Sequence, residues 1–278
     1  MISGFATLGI DLAAPPDRTG LCIIGWHSNG PVLIALARGS YDGSTLDNRS
    51  ILAALKGGAQ NLSIAKAGID APFGWPDPFV KAVLDNHEGG GWPRESEVSR
   101  RQLMLRHTDH VIWDRTGKKP LSVSADKLGA TAMRCAALLT EIGQVLGAKE
   151  VARDGSGLAC EVYPDPALRQ WTSDSPDSLG PRESYKGPKH GARRLELANL
   201  LAKRAGLQDP DGLLDLCGLQ DDYIDALLCA LIARAAEREK TFAAPAEPEN
   251  ERDMILREGW IHHPYCELDD LNDRNIAV

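Results

Sequence analysis

No apolar run in this chain of 278 residues approaches the roughly 20 residues needed to cross a bilayer. The first ten residues carry no basic stretch ahead of an apolar one, so neither an anchor nor an export signal is expected. Cysteine is sparse and scattered. The six (Cys22, Cys135, Cys160, Cys217, Cys229, Cys266) include no close pair at zinc-ligand spacing, and several lie in apolar runs where a reduced thiol acts as a small hydrophobe. That usage fits a reducing, cytoplasmic setting. Positive charge is short as well: a net charge of −8 argues against a general grip on duplex nucleic acid and leaves room only for a local basic patch. Three chemistries lack their parts. No Gly-x-Gly-x-x-Gly opens a helix after a strand, and there is no P-loop and no Gly-x-Ser-x-Gly elbow, which removes dinucleotide-binding, P-loop and α/β-hydrolase readings.

What the chain does have is an ordinary apolar share, 43%, enough for one large domain or two small ones. Residues 7–13 read as a strand carrying an acid, Asp11, in apolar surroundings. Residues 21–26 and 32–37 read as a hairpin around Ser28-Asn29-Gly30-Pro31. A helix through residues 51–55, capped by Thr45 or Asp47 and stopped at Gly57-Gly58, leads to a strand at 62–69 that ends on Asp70. The order so far is β-β-β-α-β. From about 74 to 153 the pattern breaks into an insertion that holds Arg94, Arg100, Arg101 and Arg106. It also holds a helix opening at Ser124-Ala125-Asp126, with Leu128, Ala132, Met133, Ala136, Leu139 and Ile142 at helical spacing. A fifth strand, 158–163, contains Glu161 and is stopped by Pro164-Asp165-Pro166. Residues 192–205 form an amphipathic helix, and a largely buried helix runs from Asp221-Asp222 to about Glu239. Residues 1–240 are thus expected as one α/β domain with a helical insertion. Residues 243–252 are linker-like, and the tail beyond packs back on the domain.

Acids are the chemistry that remains. Gly9-Ile10-Asp11 is echoed by Gly68-Ile69-Asp70, which places two carboxylates at equivalent points of two apolar strands. At about 4 Å such a pair repels by roughly 4 kcal/mol at an effective dielectric near 20, unless a cation lies between them. The pair therefore predicts a divalent-metal site. The plainer roles are turn-forming ones, Asp11 ahead of Pro15-Pro16 and Asp70 ahead of Ala71-Pro72. Asp222 and Asp225 lie three apart on one helical face and are either further ligands or, with Asp221, helix-start charges. Glu161 is a secondary candidate, by alternation either solvated or at the site. Arg106 suits a phosphate contact or a pair with Asp109, and Lys186, after Tyr185, an anionic substrate. His107 and His110 have metal spacing but no closely placed third ligand.

Several of these stretches occur together in a known family. Gly9–Ala13, the run Ile69-Asp70-Ala71-Pro72-Phe73-Gly74-Trp75-Pro76, Arg106–Asp109, Pro120–Asp126, Glu161–Pro164, Tyr185-Lys186 and Asp221–Ala226 resemble the family called domain of unknown function 429. That family is regarded as predicted ribonuclease H-like nucleases. The resemblance implies a ribonuclease H-like mixed five-stranded sheet with flanking helices. It also implies a centre of Asp11, Asp70 and Asp222 or Asp225 with Glu161 nearby, and Arg106 and Lys186 around it. Mg²⁺ or Mn²⁺ would be the cofactor, with Asp11 bridging two ions, for phosphodiester hydrolysis. The substrate would be a nucleic acid, single-stranded or branched, or another phosphodiester. A non-catalytic, ion-dependent module binding nucleic acid or protein is the alternative. An actin-like ATPase also opens with Gly-Ile-Asp, but it needs two such cores and a Gly-Thr phosphate turn where this chain has Ala13-Ala14-Pro15-Pro16.

Overall fold

The computed structural model describes residues 4–39, 45–57, 62–147, 151–176, 178–180 and 183–272. β1 (Phe5–Asp11) pairs antiparallel with β2 (Gly20–His27), which pairs antiparallel with β3 (Gly30–Arg38). The β2–β3 reversal turns on Gly30, whose φ of 115° is one that side chains resist. α1 (Asn48–Gly57) then crosses over, and β4 (Ile64–Asp70) returns parallel to β1, as parallel pairing requires. Of the two candidate caps for α1, Asp47 is used, its Oδ1 accepting from the Ser50 amide at 2.9 Å. Gly58, half of the expected stop, lies outside the described residues.

The helices that follow are α2 (Asp77–His87), α3 (Arg100–Met104), α4 (His107–Thr116), α5 (Gly129–Val145), α6 (Pro164–Thr172), α7 (Gly191–Ala205), α8 (Asp221–Glu237) and α9 (Glu249–Glu258). With β5 (Ala159–Val162) and β6 (Ile261–His262), the described residues form a six-stranded mixed sheet in the order β3-β2-β1-β4-β5-β6. That is one strand more than the five expected, because a two-residue strand has no periodicity to read.

The chain divides into two compact units, residues 1–70, 162–242 and 262–278 in the first and 71–161 and 243–261 in the second, with boundaries inside β5 and β6. The expected insertion is therefore longer than 74–153, and much of the expected linker and tail belongs with it. Residues 243–252, read as linker, run into α9. Pro164 ends β5 as expected but also opens α6, where its missing N–H leaves no hydrogen bond unmade. On α5 it is Cys135 and Leu138 that face the core beside Ala132, Leu139 and Ile142, while Met133 is 67% exposed.

In the first unit α8 is buried along most of its length and packs on β1, β2 and β4. Alternation puts Thr7, Gly9 and Asp11 on one face of β1. The Thr7 hydroxyl donates to the Ala230 carbonyl at 3.0 Å and accepts from the Trp26 indole at 2.9 Å. A Cβ on Gly9 would overlap the Ala226 carbonyl oxygen and the Ala230 amide nitrogen; one on Gly68 would overlap the Cys229 carbonyl oxygen. The helix answers with small residues at helical spacing, Ala226, Cys229, Ala230 and Ala233. Helix backbone thus rests directly on strand backbone, which carries the first turn of α8 to the end of β1. Gly9→Ala is accordingly expected to destabilise the protein by about 1–3 kcal/mol or more, because the clash is with backbone and not with a side chain that can rotate away. Urea unfolding measures this, and an unchanged midpoint would contradict the close seat.

Candidate functional site

Asp11 and Asp70 are register partners and the last residues of the parallel strands β1 and β4. Neighbouring strands run about 4.8 Å apart, so the two carboxylates leave the same end of the sheet side by side. The expected pair is therefore realised by the pairing of the two Gly-Ile-Asp runs.

The acids of α8 come from its first turns. The N-cap position is held by Gln220, without a side-chain cap bond, so neither Asp221 nor Asp222 acts as the cap. Asp222 is ion-paired with Arg38 Nε at the end of β3. Asp225, with 2% of its side chain exposed, is paired through Oδ2 with Lys186 Nζ at 2.7 Å. Its Oδ1 accepts from the Tyr185 hydroxyl at 2.6 Å. Tyr185 and Lys186 belong to a loop that Arg194 of α7 clamps. That guanidinium, itself buried, donates to the carbonyls of Tyr185 at 3.1 Å and Gly187 at 2.7 Å on either side of Lys186, and to Cys217 and Gly218 beyond.

Charge in this cluster is unbalanced around Asp11. Burial pushes its carboxyl well above the ordinary range, and Asp225, Asp70 and Asp222 push it further, with Lys186 opposing. Asp225 is also raised by burial, though Lys186 and Tyr185 pull it back. The Tyr185 phenol is pushed up by burial and then by Asp225, so it stays a hydrogen-bond donor at neutral pH.

The donor set is carboxylate oxygen throughout, which suits hard cations such as Mg²⁺ or Mn²⁺. Mg²⁺ is usually held by one or two carboxylates with waters completing its octahedron, and Asp11 and Asp70 meet that demand. Among the described residues no group of three or more His, Cys, Asp or Glu is arranged to hold an ion. Asp222 and Asp225, expected as further ligands, are paired here with Arg38 from β3 and Lys186 from the clamped loop.

Two other expected site residues meet in the second unit. Arg106, 3% exposed, donates to Glu161 Oε1 at 2.7 Å, Glu161 Oε2 at 2.8 Å, Asp109 Oδ1 at 2.9 Å and the Glu258 carbonyl at 3.1 Å. Glu161 Oε2 also accepts from the Phe73 amide at 2.9 Å. The expectations of a phosphate contact at Arg106 and an auxiliary acid at Glu161 are therefore corrected: both are buried, Arg106 is saturated by Glu161, Asp109 and the Glu258 carbonyl, and Glu161 by Arg106 and the Phe73 amide, the Arg106–Asp109 pair being one of the sequence alternatives. His107 pairs with Glu251 at 2.8 Å and His110 meets Arg101, so the two histidines of the His-x-x-His spacing face different partners. Glu258 was not foreseen. Its carboxylate accepts from the first-turn amides of α2 and α4, at Asp77 (2.7 Å) and His107 (2.6 Å). Arg38 and Arg194 were also missed, and neither has a spacing or motif that could have marked it.

A family profile described as "Protein of unknown function (DUF429)" matches residues 9–250. No curated protein and no solved structure matches the chain.

Two outcomes follow from these electrostatics. The native state holds the Asp11 proton more tightly than the unfolded chain does. The stability this group contributes is therefore present below its unfolded value of about 3.9 and lost as pH rises through the native one. In chelator, Asp11→Asn should melt above wild type at pH 7, and the difference should close as pH falls toward about 4. Equal melting at pH 7 would contradict charge strain at Asp11. In the second unit, Arg106→Ala leaves two buried carboxylates uncompensated and should cost about 3–5 kcal/mol in urea unfolding; a surface-like loss under about 1 kcal/mol would contradict the buried cluster.

Proposed function

The chain belongs to the DUF429 family of unknown function, and from that premise we propose that its acidic centre hydrolyses phosphodiester bonds with a divalent metal, Mg²⁺ or Mn²⁺. The observation that carries the reading is the in-register pair Asp11 and Asp70 at the ends of two parallel strands, in a charge environment that is still short of positive charge. The fold reading that goes with it is ribonuclease H-like. It is supported by three antiparallel strands, a crossover helix, a parallel acidic strand and a late helix bearing Asp-x-x-Asp.

Asp11 and Asp70 are the residues that would hold the metal. When bound, a divalent ion lowers the pKa of a coordinated water and offsets charge on phosphoryl oxygens. The protein's own part is to align the two carboxylates, which the register of β1 with β4 and the seat of α8 do, and a bound cation would favour their ionised forms over the protonated one that burial favours at Asp11. Arg38 and Lys186, each held by an acid of α8, give the centre fixed positive charge toward an anionic substrate. A net charge of −8 argues against the extended positive track that duplex binding uses. Single-stranded, branched or otherwise open nucleic acid, or a small phosphodiester, is the substrate class.

One observation favours a second reading, an ion-dependent binding module without turnover: two of the four acids already carry basic side chains. The test separates the two. Purified protein with Mn²⁺ is assayed on labelled single strands, junctions, RNA–DNA hybrids and a chromogenic phosphodiester, beside Asp11→Asn and Asp70→Asn. Turnover should fall in both variants by more than the roughly 10–100-fold typical of losing an outer-shell partner. Absence of turnover on every substrate, or undiminished turnover in the variants, would replace the hydrolase by the binding module.

A further inference from the structure

Lys186 is a basic side chain whose charge counters that of Asp11, and its own setting is built. Its Nζ lies 2.7 Å from Asp225 Oδ2 and 5.6 Å from the centre of the Tyr185 ring. The other oxygen of Asp225 is taken by the Tyr185 hydroxyl, so the carboxylate cannot turn away. The backbone on both sides of Lys186 is gripped by the buried Arg194 guanidinium, through the carbonyls of Tyr185 and Gly187. A lysine that only solvated a loop would need none of this: a buried arginine, a buried phenol and a buried carboxylate converge to hold one ammonium.

We infer that Lys186 is a built-in second cation of the acidic centre, neutralising Asp225 so that the centre takes a single divalent ion, at Asp11 and Asp70. The inference rests on the metal-dependent reading above and deepens it. The charges support it in the same direction. Asp225 is the largest influence raising the Lys186 ammonium, with Asp70 and Asp11 adding to it, so the side chain stays charged through the neutral range. An ammonium is a compact point charge with no acceptor capacity. It can stand beside the carboxylates where an ion would stand, but it cannot coordinate water as an ion does. Coordination is thereby left to the Asp11–Asp70 side of the centre, while half of the Lys186 side chain, 49% exposed, remains open to an anionic ligand. Arg38 plays the corresponding part for Asp222 at the edge of the cluster.

Mn²⁺ titrations followed by calorimetry and by electron paramagnetic resonance of free Mn²⁺ test this without recourse to activity. Full-length wild type, Lys186→Met and Lys186→Arg are compared, each checked for an intact fold by circular dichroism. Lys186 is half-exposed, so the Met variant is expected to fold, and the Arg variant keeps the charge if it does not. The inference expects one ion per chain in wild type and Lys186→Arg, and two in Lys186→Met, where Asp225 is released. Two ions in wild type, or one in wild type and Lys186→Met alike, would overturn it while leaving the metal-dependent reading in place. No Mn²⁺ bound by wild type would overturn both.

Discussion

The contact on which the candidate site depends is between backbones: α8 lying on β1 and β4 with no side chain between them at Gly9 and Gly68. Helices usually pack on sheets through a layer of side chains. Here the glycines and the facing Ala226, Cys229, Ala230 and Ala233 remove that layer, and the Thr7 hydroxyl ties strand to helix at the Ala230 carbonyl. The consequence is positional. A first helical turn lying close to the sheet brings Asp222 and Asp225 among acids that leave the strand ends, and the Gly of each Gly-Ile-Asp run is what makes its Asp part of a cluster.

Clustering acids in a partly dry site is costly, and the two units handle that cost differently. In the second unit Arg106 meets Asp109 and Glu161 with every partner buried, and backbone groups of Phe73 and Glu258 take the remaining valences. That network is closed, and its physical role is to hold its own unit together. In the first unit the compensation is incomplete. Lys186 and Arg38 each neutralise one acid of α8, and Asp11 is left with a carboxyl pushed upward by burial and then by its acidic neighbours. The divalent ion proposed for this centre would supply the missing positive charge.

Much of the architecture was legible along the chain. Five strands, the crossover helix, the late buried helix and the Asp11–Asp70 pairing all follow from period-2 and period-3.6 apolar patterns and from the repeated Gly-Ile-Asp run. What was illegible has physical reasons. β6 is two residues long. α2 and α4 lie in the stretch from about 74 to 153 where the pattern breaks, and α6 lies where Pro164 read as a stop, although proline at the first turn of a helix starts it as well as it ends a strand. The joining of residues 243–261 to the 71–161 unit is a contact across sequence, which local pattern does not carry.

For the site the division is sharper. By itself, the sequence determined which acids exist, that Asp11 and Asp70 occupy equivalent strand ends, and that Asp222 and Asp225 share a helical face, because strand alternation and helical spacing are local properties of the backbone. Only the tertiary structure decided what each charge faces. It turned Arg106 and Glu161 toward one another, gave Asp222 to Arg38 and Asp225 to Lys186, and set Arg194 to hold the loop that presents Lys186. An ion pair depends on the distance and burial of two groups far apart in the chain, and those are set by how the helices seat on the sheet, not by the residues on either side of each charge.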